Sequence, residues 1–205
     1  MLENLDSLVE RSRGGLLRIQ KIVADLRDFA RLEEADFQEA DLNAGIGTTV
    51  RLMQNLADER QVTLETNLAP IPRITCFPAK MNLVFQSLIS NGIDACAAGG
   101  RVIVETRTVD DGIEIQVSDN GYGIAPAIRD RIFDPFFTTK PVGRGTGLGL
   151  SISYGIVKDH RGAIEFESFP GQGTRFTIRL PVKLPGEIIL HSKSPGEAQE
   201  PVAPI

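Results

Sequence analysis

Four glycines stand at alternate positions in the segment 143–152, where a helical pattern begins: Gly143, Gly145, Gly147 and Gly149. The free N–H groups and the dipole at a helix N-terminus attract phosphate, and glycine lets a ligand approach the backbone closely. No Gly-x-x-x-x-Gly-Lys-Ser/Thr motif occurs, and no βαβ pattern with a suitably placed acidic residue follows. The segment therefore predicts a phosphate site that is neither a Walker loop nor a dinucleotide fingerprint.

Two polar residues upstream of these glycines have side chains that could bind parts of a nucleotide. Asn91 falls on the polar side of a helical pattern, and its amide oxygen suits a hard cation such as Mg²⁺ that also binds phosphate oxygens. Taken alone, Asn91 is better explained as an exposed residue of a surface helix. Asp119 precedes Gly121 and Gly123, and its carboxylate could accept a hydrogen bond from an exocyclic amine such as that of adenine. A simple turn-forming aspartate is the alternative.

The segment 132–140 is aromatic in a chain that has few aromatic residues. Phe133, Phe136 and Phe137 lie within five positions, and the segment runs on into the glycine-rich stretch. An aromatic hinge beside glycines predicts a lid over a ligand, from about residue 138 to residue 147. A hydrophobic plug at the edge of a sheet is the alternative.

These motifs must be positioned by alternating helices and strands. Helical patterns follow the cap-type residues at 41–43, Pro78 and Gly147, and the last of them covers 148–160. Alternating patterns predict strands at 61–66, 101–108, 112–118, 163–168 and 174–180. The order indicates an α+β fold, a two-layer α/β sandwich with a mixed sheet covered on one face by helices.

A long amphipathic helix is predicted over about residues 1–36, with apolar residues at steps of three and four, as in a helix-packing seam. Its partner is expected to be a second helix in a dimer, although a helix that folds back on its own domain also fits. From about residue 184, prolines among Gly, Ser and Glu predict a flexible tail. The predicted divisions are 1–38 for part of a dimerisation helix, 39–183 for the catalytic domain and 184–205 for the tail.

Composition narrows the class of partner. A net charge of −5 argues against nucleic acid, because binding a phosphate backbone needs a basic face. Cys76 and Cys96 are too few for a disulfide framework and are predicted to be buried thiols. No apolar stretch approaches a membrane span and no signal peptide opens the chain, so a cytoplasmic location is expected, although the parent protein could be membrane-bound.

The four motifs in this order resemble the ATP-binding catalytic domain of sensor histidine kinases, in the superfamily shared with gyrase and heat-shock chaperone ATPases. The resemblance covers roughly residues 16–182, through an N box (Asn91-Gly-Ile-Asp-Ala), two glycine boxes and an F box (Phe133-Asp-Pro-Phe-Phe-Thr-Thr-Lys). It implies a Bergerat-type pocket for ATP and Mg²⁺, in which Asn91 holds the metal and Asp119 reads the adenine amine. Thr174 would assist adenine recognition, and Lys140 and Arg144 would meet the terminal phosphate.

By position, the resemblance implies nucleotide contacts from the following residues: Asn91, Asp94, Asp119, Gly121, Gly123, Ile124, Phe133, Thr138, Thr139, Lys140, Gly145, Thr146, Gly147, Leu148, Gly149 and Thr174.

The sequence departs from the family pattern in three places. Ser87 stands where a second metal-binding asparagine is common, and as an oxygen donor it is expected to keep a weaker metal contact. Gly92 replaces the usual alanine, at a cost of about 1 kcal/mol in helix stability. The family's phosphate-accepting histidine is expected to precede this chain, since neither His160 nor His191 fits the acceptor pattern.

The predicted function is therefore donation of the γ-phosphoryl group of Mg-ATP to a histidine on a dimerisation helix, in two-component signalling. The expected partners are a second copy of the chain, through an N-terminal helix bundle, and a response regulator receiver domain. Two alternatives are a catalytically inactive nucleotide-binding scaffold and a serine kinase of the anti-sigma type. The intact glycine boxes disfavour the first, and the bundle-like helix with the long F box disfavours the second.

Overall fold

The computed structural model describes residues 12–16, 19–20, 22–23, 36–110, 112–141 and 145–182. The described pieces before residue 36 have helical backbone, but most of the predicted N-terminal helix lies outside the described residues, as does the predicted tail. In chain order the elements are β1 (Gln38–Ala40), α1 (Leu42–Glu59), β2 (Thr63–Leu68), β3 (Ile74–Cys76), α2 (Pro78–Ala95), β4 (Arg101–Val109), β5 (Gly112–Asp119), a 3₁₀ helix (Pro126–Arg131), α3 (Gly149–Asp159), β6 (Ala163–Phe169) and β7 (Gly173–Pro181).

The main sheet has five strands in the order β2-β4-β5-β7-β6. β2 runs parallel to β4, and every other neighbouring pair is antiparallel, so the sheet is mixed as predicted. In the central strand β5, Ile113, Ile115 and Val117 are buried on the face that packs against the helices, while Gln116 and Ser118 on the other face are only partly buried. The predicted two-layer sandwich is confirmed.

The helix α2 supplies most of the buried face of the helical layer. Its fully or almost fully buried side chains recur at helical spacing: Met81, Val84, Phe85, Leu88, Ile89 and Ile93. This face packs on α1, α3 and the sheet, which leaves the polar side of α2 turned toward a cavity. The packing of α2 in the core therefore directs the polar residues of the N box, which begins at Asn91, toward the cavity.

Local sequence signals place the starts of two helices. Asp41 caps α1, where its side chain accepts a hydrogen bond from the amide of Ala44 at 3.2 Å. Pro78 lies in the first turn of α2, a position at which the missing N–H costs nothing. Both starts agree with the prediction.

Other predictions needed correction. The first strand of the main sheet begins two residues later than predicted, at Thr63, and the short pair β1 and β3 was not predicted. Cys76 is fully buried as expected, whereas Cys96 is only partly buried, because it lies where the chain leaves α2. None of the helices in the described part of the chain combines the length and apolarity needed to cross a membrane.

Candidate functional site

A cavity of about 460 Å³ lies between the helical layer and the end of the sheet where β5 finishes and β7 begins. It is bordered by α1, α2, the glycine turn after β5, the aromatic segment and the start of α3. Fourteen of the residues predicted to bind nucleotide or metal line it: Ser87, Asn91, Asp94, Asp119, Gly123, Ile124, Thr138, Thr139, Lys140, Gly145, Thr146, Gly147, Gly149 and Thr174.

The polar face of α2 presents two oxygen-bearing side chains to this cavity. Asn91 and Asp94 are three residues apart and so share one side of the helix. The ammonium of Lys140 donates to Asn91 Oδ1 at 2.9 Å and to Asp94 Oδ2 at 2.8 Å. The other oxygen of Asp94 lies 3.5 Å from the guanidinium of Arg60, next to the end of α1. The two carboxylate oxygens of Asp94 thus have separate basic partners.

Asp119 is the last residue of β5, where the strand delivers its side chain into the cavity. Its Oδ1 accepts hydrogen bonds from the amides of Gly121 at 2.9 Å and Thr174 at 3.3 Å. Burial raises the pKa of this carboxyl, against the opposing effect of the two amide donors. A side chain on Gly173 would overlap the backbone of Asp119, so glycine is needed for this close approach of β7. With Oδ1 used by the backbone, Oδ2 is the oxygen available to a ligand.

The hydroxyl of Thr174 is oriented by Ser168, a residue that the sequence analysis missed. Ser168 Oγ donates to Gly173 O at 3.0 Å and accepts from the amide of Ile124 at 2.8 Å. Because its single proton is used in this way, the 2.9 Å contact with Thr174 Oγ1 has Thr174 as the donor. Thr174 then offers lone pairs to the cavity, so both Thr174 and Asp119 act there as acceptors.

The aromatic segment has its three phenylalanines in three different places. Phe133 packs against Tyr154 at 5.2 Å and Phe166 at 6.1 Å between ring centroids. Phe136 is 53% exposed and has a φ of 66°, in the left-handed region, and its amide donates to Gly147 O at 2.9 Å. Only the third, Phe137, lines the cavity. Phe133 thus supports the site by packing, and its predicted nucleotide contact stays a prediction.

Tyr122 is a second cavity residue that the analysis missed. It lines the cavity together with Thr139, and burial raises its pKa. Tyr122 belongs to the glycine turn after β5 and Thr139 to the aromatic segment, and this shared position at the cavity brings the two segments together. No short-range pattern predicts it, because the two residues belong to different motifs.

The second glycine box is held by close packing as well as by backbone conformation. Gly147 has a φ of 74°, and a Cβ there would overlap the backbone of Phe136. A Cβ on Gly149 would lie 2.6 Å from Ser87 Oγ. Leu148, the residue before α3, makes no side-chain hydrogen bond that caps the first N–H groups of this helix. Such a helix start favours an anion.

Three predicted residues do not line the cavity, and one cannot be placed. Gly121 packs against the backbone of Ala95, and Leu148 is buried beside the start of α3. Phe133 packs in the aromatic cluster described above. Arg144 lies outside the described residues, together with positions 142 and 143 of the predicted lid. The roles predicted for these residues stay predictions.

The residues present fit a magnesium ion that also binds phosphate. The described residues contain no cluster of three or more His, Cys, Asp or Glu side chains that could enclose a metal. They do offer hard oxygen donors on one helix, from Asn91 and Asp94, and the buried hydroxyl of Ser87 has no hydrogen-bond partner. Mg²⁺ is commonly held by one or two side-chain oxygens, several waters and phosphate oxygens, and this donor set is of that kind.

Comparison with known proteins shows to which family this domain belongs. The family described as "Histidine kinase-, DNA gyrase B-, and HSP90-like ATPase" matches residues 78–184, just over half of the chain. The sensor histidine kinase ZraS of Escherichia coli K12 is 34% identical over 168 residues, which are 82% of this chain and 36% of that protein. Sporulation kinase E of Bacillus subtilis is 34% identical over 170 residues, or 82% of this chain and 23% of that protein. The chain thus spans about a third or less of these relatives.

Solved structures agree with the fold. The nucleotide-free catalytic domain of the histidine kinase ThkA superposes with a TM-score of 0.65 at 27% identity, over 72% of this chain and 97% of that chain. Full-length ShkA in complex with AMPPNP gives a TM-score of 0.69 at 26% identity, over 87% of this chain and 38% of that chain. The chain therefore belongs to the histidine kinase-, DNA gyrase B- and HSP90-like ATPase family and is an ATP-binding catalytic domain of the sensor histidine kinase type.

Proposed function

We propose that this chain binds Mg-ATP and that the γ-phosphoryl group passes to a histidine on a dimerisation helix of a two-component sensor. One observation carries the proposal. Four motifs from separate parts of the chain border a single cavity, with two hydrogen-bond acceptors at the end of the sheet, oxygen donors on α2 and an uncapped helix start. An amine-bearing base, a cation and an anion together are what Mg-ATP presents.

The acceptor pair at the end of the sheet fits adenine. Asp119 Oδ2 and the lone pairs of Thr174 face a ligand whose exocyclic group must donate hydrogen bonds. Adenine has an amine at this position, whereas hypoxanthine has a carbonyl oxygen there. The site should therefore prefer ATP to ITP, because acceptors that face a carbonyl oxygen remain unpaired.

The phosphate groups fit the start of α3, and the cation fits Asn91 with Asp94. When bound, Mg²⁺ would neutralise charge on the phosphate oxygens. Asn91 and Asp94, with help from Ser87, would hold the ion, and the amides of the second glycine box would hold the phosphates. Lys140, within reach of both α2 residues, would supply positive charge to the terminal phosphate.

In the transfer itself, the bond from the γ-phosphorus to the β,γ-bridging oxygen breaks and a phosphorus–nitrogen bond to imidazole forms. The electron pair of the broken bond stays on ADP, and the imidazole proton passes to a base beside the acceptor. His160 is unsuitable as that acceptor, because it is 3% exposed and both ring nitrogens are hydrogen-bonded. The acceptor helix and the homodimer are proposed for the parent protein, and the response regulator receiver domain is proposed as its partner.

Asp119→Asn tests the adenine assignment. An asparagine side chain with its oxygen at the Oδ1 position keeps the bonds to the two amides, but it presents an NH₂ group to the ligand. Calorimetry should show ATP affinity lower by about 10-fold or more, since a hydrogen bond to a charged group is lost. The preference for ATP over ITP should shrink or reverse.

The exposed Asp110→Asn, in the turn between β4 and β5, makes the same chemical and charge change away from the cavity and should leave both affinities unchanged. An unchanged ATP-to-ITP ratio in Asp119→Asn would remove Asp119 from the base-binding site.

A further inference from the structure

The oxygen pair proposed to hold the cation is in contact with a positive charge of the protein itself. The ammonium of Lys140 lies 2.9 Å from Asn91 Oδ1 and 2.8 Å from Asp94 Oδ2. The side chains of Lys140 and Asp94 are 24% and 23% exposed, so the contact is sheltered but reached by solvent. Both partners are donors of the kind that Mg²⁺ prefers, and they are close enough together for one cation to contact both.

Neighbouring residues orient the side chain of Lys140 toward α2. Its backbone amide donates to Thr138 Oγ1 at 3.1 Å, which fixes the turn from which the side chain starts. The stem packs on Gly145, where an added Cβ would lie 3.1 Å from Lys140 Cβ. These contacts orient the side chain so that its ammonium reaches α2. There it contacts Asp94, which lies 46 residues earlier in the sequence.

Removing the lysine from this position would not leave Asp94 without a counter-charge. Asp94 Oδ1 keeps Arg60 at 3.5 Å when Oδ2 loses the ammonium. Asn91 is neutral and can exchange one cation for another. An ammonium and a divalent ion at the same two oxygens would repel each other strongly, so occupancy by one excludes the other.

We propose that Lys140 is an internal competitor of the divalent cation: it holds the oxygens of Asn91 and Asp94 in the nucleotide-free protein and is displaced when Mg-nucleotide enters. The displaced ammonium then becomes available to the phosphates. The inference rests on the proposed function, which supplies the nucleotide and the ion. It adds that the affinity for magnesium is lowered by a residue that later serves the phosphate.

Lys140→Met removes the charge and keeps an unbranched, flexible side chain. Calorimetry of ADP binding over a series of Mg²⁺ concentrations gives the concentration at which half of the magnesium-dependent gain in affinity is reached. This midpoint should fall about 3- to 10-fold in Lys140→Met, since a partly sheltered ion pair and the repulsion by the ammonium are both removed. Lys158→Met, at the exposed end of α3, loses the same charge away from the cavity and should keep the wild-type midpoint.

A second measurement on the nucleotide-free protein separates competition at Asn91 from a simple phosphate contact. Mn²⁺ should broaden the NMR signals of the Asn91 side-chain amide at a lower concentration in Lys140→Met than in the wild type. Equal broadening, or none in either protein, would overturn the proposal, as would an unchanged midpoint for ADP. Failure of the wild type to bind ADP, or to respond to Mg²⁺, would instead contradict the proposed function and with it the competition.

Discussion

Ser87 is the cavity residue whose polar atom is least satisfied. Its hydroxyl is buried and has no hydrogen-bond partner among the residues that the structure describes, and it lies against the backbone of Gly149 at the start of α3. A buried hydroxyl without a partner costs about 1–3 kcal/mol relative to one that is paired or removed. A stability cost inside a binding cavity is expected when the atom has a partner only in the liganded state.

Ser87→Ala should therefore separate stability from binding. The nucleotide-free variant should gain about 1 kcal/mol in free energy of unfolding, because the orphaned hydroxyl is gone. The magnesium-dependent part of its nucleotide affinity should fall. Thermal melts with and without Mg-ADP measure both effects on one sample.

The matched control is Ser168→Ala, which removes a buried hydroxyl that has three partners. This variant should lose stability, since it leaves the amide of Ile124 without its acceptor. Destabilisation of Ser87→Ala to the same extent would mean that its hydroxyl has a structural partner after all.

At the scale of single residues, the sequence predicted the cavity residues that carry charge or hydrogen-bonding groups. It did not predict the long-range hydrogen bonds that orient these side chains. Asn91, Asp119 and Thr174 stand in recognisable motifs and all line one cavity. Ser168 supports the site through a bond to Ile124, 44 residues away, and Lys140 meets Asn91 across 49 residues. Contacts over such separations depend on the packed fold, so a local pattern carries no sign of them.

At the scale of elements, His160 joins the end of α3 to the start of α2. Its Nε2 accepts a hydrogen bond from the amide of Phe77 at 3.0 Å, and its Nδ1 donates to Ile156 O at 2.7 Å. Phe77 precedes α2, so its amide lies outside the hydrogen bonds of that helix, and His160 supplies the acceptor. The arrangement requires a neutral imidazole with its proton on Nδ1.

The burial and the hydrogen bonds of His160 should make the free energy of unfolding depend on pH. Burial, helped by nearby Lys80, lowers the pKa of His160 below its ordinary 6.5, although the bond to Ile156 and the charge of Asp159 oppose this shift. As pH falls below 6.5 the unfolded chain takes up the proton first, so the free energy of unfolding decreases until the folded pKa is reached. The decrease is at most about 1.4 kcal/mol per pH unit.

Denaturant titrations of the wild type and of His160→Gln at a series of pH values measure this effect. Glutamine keeps an acceptor oxygen but does not titrate, so the difference between the two proteins should shrink as the pH is lowered through this range. A constant difference would show that His160 keeps its ordinary pKa.

Two helical glycines are predicted to respond in opposite ways to alanine. Gly155 is exposed on α3 and an added Cβ meets nothing within 4 Å, so Gly155→Ala should raise the free energy of unfolding by about 0.5–1 kcal/mol. Gly92 is buried on α2, where an added Cβ would lie 3.1 Å from Val102 and 3.4 Å from the Cβ of Asp119.

In Gly92→Ala, crowding should offset the gain in helix propensity and push on Asp119, so ATP affinity should fall. Equilibrium unfolding and calorimetry on both variants check these two outcomes. A stabilised Gly92→Ala with unchanged ATP affinity would show that the sheet yields to the extra methyl group.

Periodicity predicted the long elements well, because a strand with one buried face must alternate and α2 must bury one stripe. All five strands of the main sheet were predicted within two residues at their starts. The three-residue strands β1 and β3 were missed, since so few residues show no period. They pair only because the chain returns past the start of α1.

At the scale of the whole molecule, the two faces of the sheet have different environments. The helices cover one face, and on the other Glu114 is 2% exposed because Arg107 and Arg179 lie over it. The cavity lies at one end of the sheet, where the last residue of β5 is paired with Thr174 near the start of β7. Under the proposed function, this architecture holds the nucleotide and the phosphate acceptor comes to it from another segment.

The whole chain as given should therefore bind ATP without receiving phosphate on His160. The imidazole is buried, both of its nitrogens are hydrogen-bonded, and phosphorylation would break the contacts that join α2 to α3. Incubated with γ-labelled ATP, the chain should incorporate essentially no acid-labile phosphate, because an aligned acceptor contributes about 7–11 kcal/mol that is missing here.

A separate polypeptide with an acceptor histidine on a bundle helix should become labelled when added, provided that it pairs with the N-terminal helix predicted for this chain. Stoichiometric acid-labile phosphate on this chain alone, lost in His160→Gln, would overturn the division between the nucleotide-binding domain and the acceptor. Labelling of the added polypeptide that persists in Asp119→Asn would mean that the phosphate does not come from the nucleotide site described above.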